Sequence, residues 1–326
     1  MREIYPLKFE TIFKDKVWGG DRIKTVLGKD FSPLPNCGEA WELTTVKDNV
    51  SVVKNGFLAG NALDELAEIY MADLVGEKVF ENYGVDFPLL FKFIDTNDYL
   101  SIQVHPGDNI AQKRHQGPGK TEMWYVLHAE PGAEIITGFK KDISRKEYLC
   151  NLENKTLKNI LNIEKAKRGD VYYIPPGRVH AIGAGITLAE IQQSSDLTYR
   201  IYDWDRPDSD GNHRELHTDL ALDVIDFKAY PQYKTDYREN LNQSAELVKC
   251  PYFTTNLTSF DKKIECDYYY LDSFVVIMCI EGQFSIVWQD GEDVIYCGDT
   301  VLIPAEMKNL KMVPSKPSKF LETYIA

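Results

Sequence analysis

Three short segments of this 326-residue chain carry side chains at spacings that suit metal chemistry. The first is Ser101-Ile-Gln103-Val-His105. Side chains alternate along a strand, so Ser101, Gln103 and His105 share one face, with Ile102 and Val104 on the other. The second is Lys120-Thr-Glu122, where an amine and a carboxylate again share a strand face. The third is Gly169-x5-Pro175-x-Gly177-x2-His180, in which glycine and proline build a tight turn that aims a histidine inward. Each alone has a plainer reading: a solvent-facing strand side, a surface ion pair, a satisfied core histidine. Together Gln103, His105, Glu122 and His180 offer an amide oxygen, two imidazoles and a carboxylate. Such donors suit Zn²⁺ or a similar divalent ion, one per chain, and the absence of cysteine argues against a soft structural site. The one ligand carboxylate leaves residual positive charge on the ion, useful for polarising a substrate oxygen.

These segments need strands to position them, and most of the sequence reads as β. Leu89–Ile94, Tyr99–Val104, Glu122–Leu127, Ala133–Thr137, Asp170–Ile174, Ile186–Gln192, Phe274–Ile280, Phe284–Trp288 and Thr300–Ile303 are apolar runs bounded by turn residues. Helical spacing is found in Leu63–Phe80, with Asn61 as its cap, in Ser144–Leu161, capped by Asp142 or Ser144, and in His217–Ile225. The heptapeptide Gly169-Asp-Val-Tyr-Tyr-Ile-Pro175 returns as Gly298-Asp-Thr-Val-Leu-Ile-Pro304. A Gly-Asp turn, a short apolar strand and a proline suit a small antiparallel barrel. The expected fold is therefore mainly β: two cupin-type barrels, or jelly rolls, with short helical additions. The metal-binding domain is expected over residues 1–235 and a degenerate, metal-free copy over 236–326. In that copy, aligning the two glycines sets Asn309 against His180 and Glu306 against Gly177. No G-x-G-x-x-G follows a strand, no Walker A sequence is present and βαβ alternation is absent, which argues against a doubly wound nucleotide-binding fold.

Composition narrows the partners. Lys and Arg number 37 against 50 Asp and Glu, a net charge of −13. So acidic a chain is a poor non-specific ligand for nucleic acid or an anionic membrane. A small anionic substrate remains compatible, because a few placed cations override the mean field locally. The longest apolar run, Phe274–Ile280, is far too short to span a bilayer, and the first residues hold no apolar signal core. Six scattered cysteines without C-x-x-C spacing point to a reducing cytoplasm. A monomer or a homodimer is expected.

Several blocks are recognisable at the family level. The third segment matches the second cupin motif at every fixed position up to His180. Val17-Trp-Gly-Gly20, Gly38-Glu-Ala-Trp-Glu-Leu43, Phe91–Asp95, Ser101–Asp108, Gly119–Tyr125, Leu188–Arg206 and Arg214-Glu-Leu-His217 make the chain resemble the type I mannose-6-phosphate isomerases, in their shorter bacterial form. The likeness is strong over residues 5–226 and weak beyond. It implies a zinc-dependent aldose–ketose isomerase that interconverts mannose 6-phosphate and fructose 6-phosphate. It also implies that Gln103, His105, Glu122 and His180 hold the zinc, that Arg200 is the catalytic arginine, and that Ser101 and Lys120 line the pocket. Thr44-Thr45-Val46 departs from the Ser-Ala-His type run of larger members.

Such a reaction shifts a proton between C2 and C1, with an enediolate between. Zinc can stabilise the oxygens as a Lewis acid, helped by Arg200 or Lys120. Glu190, inward on its strand, is either the base or a structural partner of Arg200 or Lys120, with Asp196 and Lys120 as other proton carriers. Arg200 and Arg206, with Ser101, are the groups to hold the phosphate, Arg206 also being placed to pair with Asp203 or Asp205. His115 belongs to the loop Gln112–Gly119, at a pocket rim or in solvent. Two further readings stand beside the isomerase: a non-catalytic cupin that binds sugar phosphates, and a non-haem metal oxygenase.

Overall fold

The computed structural model describes residues 4–207 and 211–325. Three antiparallel sheets stack as layers. The middle sheet runs in the order Ile12–Lys14, Glu39–Leu43, Leu89–Thr96, Ile186–Gln193, Glu122–Ala129, Val171–Ile174. On one side lies a five-stranded sheet: Tyr199–Tyr202, Ile102–Val104, His180–Ile182, Glu134–Phe139, Leu161–Lys165. On the other side lies an eight-stranded sheet from the second half of the chain, joined by the short strand Leu7–Lys8 near the start.

The stacking explains the sequence pattern. Leu89–Thr96 and Ile186–Gln193 are buried at every position, because both faces of the middle sheet are covered. Phe91, Phe93, Met123, Ala189 and Ile191 face the eight-stranded sheet and meet Val276, Met278, Leu302 and Leu321. Ile94, Trp124, Val126 and Leu188 face the five-stranded sheet and close one end of that sandwich with Ile135 and Ile182. The outer face of the five-stranded sheet carries Ile102, Val104, Tyr199 and Ile201 under the helices Arg145–Glu153 and Thr218–Leu222. No helix among the described residues is long and apolar enough to cross a membrane.

Most expected strands are present, and the differences are physical. Phe274–Ile280 and Phe284–Trp288 form one strand, Val275–Trp288, bent by bulges between Cys279 and Phe284. Tyr99 precedes its strand, which begins at Ile102. The stretch Leu63–Phe80 breaks into Leu63–Tyr70, Ala72–Val75 and Glu77–Tyr83. Met71 and Gly76 at the breaks have φ of 47° and 97°. A Cβ on Gly76 would stand 2.7 Å from the backbone of Asp272, so tertiary contact fixes that break. The cap residue is Ala62, not Asn61, and its amide donates to the Glu65 carboxylate at 3.0 Å. Ser144 does cap its helix, accepting from the Glu147 amide at 3.1 Å, but the helix ends at Glu153 and Leu161 opens a strand.

The repeated heptapeptides fold alike. Gly169 and Gly298 both have positive φ, 88° and 92°. The Gly169 amide donates to Val126 O and the Val126 amide to Asp170 O, each at 2.9 Å. Gly298 and Asp299 exchange the same bonds with Cys279, at 2.8 and 2.9 Å. The correspondence slips after the proline. His180 faces into its sandwich opposite Gln103, whereas Asn309 is exposed and the inward residue is Leu310, opposite Cys266. The second loop is one residue longer in this sense, which turns the expected counterpart outward.

Candidate metal centre

Two facing sheets build the site. Gln103 pairs in register with both His180 and Arg200, so the three side chains share the inner face of the five-stranded sheet. His105 follows directly after the strand Ile102–Val104. Glu122 enters from the middle sheet, opposite Gln192, and both are buried. His105 Nε2 and His180 Nε2 lie 3.1 Å apart. Each stands 3.5 Å from a different oxygen of Glu122. Among the described residues these three form the one group of histidines, cysteines or carboxylates able to hold an ion. Gln103 Nε2 is 3.3 Å from His180 Nε2. A half-turn of that amide presents its oxygen instead.

The electrostatics prepare the ligands. His180 donates Nδ1–H to Arg178 O at 2.8 Å, which leaves Nε2 as a lone pair facing the centre. Burial pushes its pKa down to about 3, so the ring stays neutral. Burial, with Lys120 and His180 nearby, also holds His105 well below the usual histidine range. Burial and the neighbouring Glu190 push Glu122 up to about 7, against Lys120 and Lys92. Both Glu122 oxygens are buried and poorly satisfied: Oε2 has the Lys120 ammonium at 3.2 Å, and Oε1 has no donor. A cation would satisfy them. A histidine with a fixed lone pair, a second buried neutral histidine and a buried carboxylate short of donors therefore fit a divalent ion.

A second polar group lies on the same face of the middle sheet as Glu122. Trp41, Lys92, Glu190 and Trp124 stand in one row across the middle sheet. Glu190 accepts from Lys92 Nζ at 3.1 Å and from Trp124 Nε1 at 2.8 Å, so both its oxygens are engaged. Its pKa is lowered: burial opposes ionisation, and Lys92 and Lys120 outweigh it. Lys92 also donates to Gln192 Oε1 at 2.8 Å and lies 3.9 Å from Glu39. Glu39 in turn accepts from Trp41 Nε1 at 2.7 Å. Glu190 thus has Lys92 as its partner, a residue assigned no role from sequence. The available signal was a lone lysine inside the apolar run Leu89–Ile94.

The remaining predicted residues are placed as follows. Ser101 donates to Gln103 Oε1 at 3.5 Å. Arg200 Nη1 donates to Glu215 O at 2.9 Å. Arg206 lies apart from the two histidines, held by Asp98 at 2.8 Å, Asp203 at 3.0 Å and Tyr99 O at 3.0 Å. The Nε atoms of Arg200 and Arg206 are both buried without a partner. Asp196 is exposed. His115 ends the helix Asp108–His115, where a loop was expected, and its Nε2 meets Tyr199 OH at 2.8 Å.

An antiparallel β sandwich that gathers two histidines and a carboxylate beside a G-x5-P-x-G-x2-H turn defines a protein of the cupin fold with a group able to hold a metal ion. The family description "Phosphomannose isomerase type I, catalytic domain" matches residues 7–121. The mannose-6-phosphate isomerase ManA of Bacillus subtilis is 34% identical over 94% of this chain and 95% of its own length. That of Streptococcus mutans is 35% identical over 93% and 94%. The crystal structure of a Bacillus subtilis mannose 6-phosphate isomerase superposes with a TM-score of 0.88 at 31% identity, covering 98% of this chain and 99% of that one. The chain belongs to the type I mannose-6-phosphate isomerase family.

Proposed function

We propose that the protein interconverts mannose 6-phosphate and fructose 6-phosphate, using a zinc ion held by Gln103, His105, Glu122 and His180. The observation that carries the metal reading is buried Glu122, whose two oxygens each face an imidazole nitrogen and have only the Lys120 ammonium, beside Oε2, as a neighbouring donor. The substrate reading rests on the family and on the cations beside the ligand residues, Lys120, Lys92 and Arg200. When bound, zinc supplies a Lewis acid to the carbonyl and hydroxyl oxygens of the sugar. Lys120 neutralises part of the Glu122 charge and adds positive potential toward the developing enediolate. Arg200 shares the inner sheet face with Gln103 and His180, and its unpartnered Nε–H is a donor for the substrate's anionic end, with Ser101 beside Gln103. Arg206 offers a second unpartnered Nε–H farther out. Glu190 is the proposed proton carrier between C1 and C2, each of its oxygens keeping a lone pair beyond the bond it accepts. Residues 1–235 form the catalytic unit in this reading, and 236–326 carry no metal.

A coupled isomerase assay on metal-analysed protein tests the proposal, comparing wild type with His180→Ala. We expect near-stoichiometric zinc and turnover in the wild type, with both lost in the variant. Turnover by a metal-free variant would overturn the metal role. Sugar-phosphate binding without turnover in a zinc-replete wild type would favour a binding protein. Oxygen uptake with Fe(II), without isomerisation, would favour the oxygenase.

A further inference from the structure

The segment Arg214-Glu-Leu-His217 is left without a role by the chemistry above. It lies against the edge of the five-stranded sheet, where Tyr199–Tyr202 is the outermost strand. An edge strand leaves alternate amides and carbonyls facing outward. At Arg200 both are taken by a single residue. The Arg200 amide donates to His217 Nδ1 at 3.2 Å, and the His217 amide donates to Arg200 O at 2.7 Å. Two residues earlier, Glu215 O accepts from the Arg200 guanidinium at 2.9 Å. Backbone and side chain of Arg200 are thus gripped by one three-residue stretch. His217 is itself anchored, because its carbonyl accepts the Ala221 amide at 2.9 Å in the helix Thr218–Leu222. Ala221 and Leu222 pack in the same cluster as Tyr199 and Ile201.

We infer that His217 is a positioning residue for Arg200, clasping its backbone so that the guanidinium is held over the metal-side face. Only a ring with a bare Nδ1 can accept the Arg200 amide, so His217 is present as the Nε2–H tautomer. Arg200 sits in register with Gln103, so a slip at this edge would displace the arginine relative to a metal ligand. The inference rests on the proposal that Arg200 meets the substrate, and its test keeps the two separable.

The test pairs His217→Leu, which removes the acceptor, with His217→Asn, whose Oδ1 can take the place of Nδ1. We expect His217→Leu to lower kcat/KM roughly 10- to 100-fold and His217→Asn to stay within about 3-fold of wild type. In an Arg200→Lys background, His217→Leu should add less than about 3-fold, because both act through one group. Two readouts need no turnover. Hydrogen exchange at the Arg200 amide should quicken in the Leu variant and return in the Asn variant. Nitrogen NMR on labelled histidine should show His217 as the Nε2–H tautomer. Equal losses from Leu and Asn, or a full multiplicative loss in the Arg200→Lys background, would overturn the inference. So would an Nδ1–H tautomer. A wild type lacking isomerase activity, but with the expected exchange and tautomer, would instead overturn the assignment of Arg200 to that reaction.

Discussion

Lys92 shows how one buried side chain organises its surroundings. It is enclosed by Glu190, Gln192, Glu39 and the face of Trp41, 5.1 Å from its ammonium. Removing one partner of such a group leaves a buried charge uncompensated. Glu39 makes this testable. Burial opposes ionisation of Glu39, yet Lys92, Lys16 and the Trp41 indole hold its pKa down at about 2. Its folded value lies below the unfolded one of about 4.3, so its stabilising contribution is complete above that pH and fades as pH falls toward 2. The wild type should therefore lose about 2 kcal/mol more than Glu39→Gln between pH 5 and pH 3. Denaturant unfolding at the two pH values measures the difference, and parallel losses would refute it.

At the scale of elements, the turn that delivers His180 depends on Gly177. Its φ is 85°, and an added Cβ would stand 2.6 Å from Val224 O. Its amide donates to His105 O at 3.0 Å, so the same turn ties the two ligand segments together. We expect Gly177→Ala to cost about 2 kcal/mol or more and to weaken metal retention. Thermal unfolding with metal analysis of the purified variant decides this, and a wild-type result in both would count against the role. Elements of this kind were legible in the sequence because their signals are local. The Gly169 and Gly298 turns, the alternation around Gln103 and the Ser144 cap each lie within a few residues. What could not be read depends on distant contacts. The breaks in Leu63–Phe80 answer to packing such as Gly76 against Asp272. The partners of Lys92 come from strands remote in sequence, and the slip from Asn309 to Leu310 depends on a loop that carries no alternation of its own.

In the whole molecule the middle sheet belongs to two cores at once. Phe91, Phe93, Met123 and Ile191 are buried in one cluster with Val276, Met278 and Leu302. A chain ending at residue 235 would bare that face and lose the strand partner of Leu7–Lys8. We expect it to aggregate, and a monodisperse folded fragment by size exclusion and circular dichroism would contradict this. The layers are also stitched beside the ligand segments. Tyr252 of the second half donates to Asp108 at 2.6 Å, and Asp108 accepts from the Gly119 amide at 2.8 Å, just before Lys120 and Glu122. The repeated turn carries the comparison further. Reading outward from it, Val275 stands where Glu122 does, both pairing with the isoleucine before the proline. Ile277 replaces Trp124, and opposite it Glu322 holds the place of Glu190. Asn256 stands for Lys92, and Cys266 and Leu310 for Gln103 and His180. Glu322 has kept a donor, Tyr268 OH at 2.5 Å, but no lysine. Around the repeated turn the second half thus follows the strand pairing of the first, with other side chains at the ligand positions. For a protein engineer it is a ready scaffold, in which the side chains to be exchanged are already known by number.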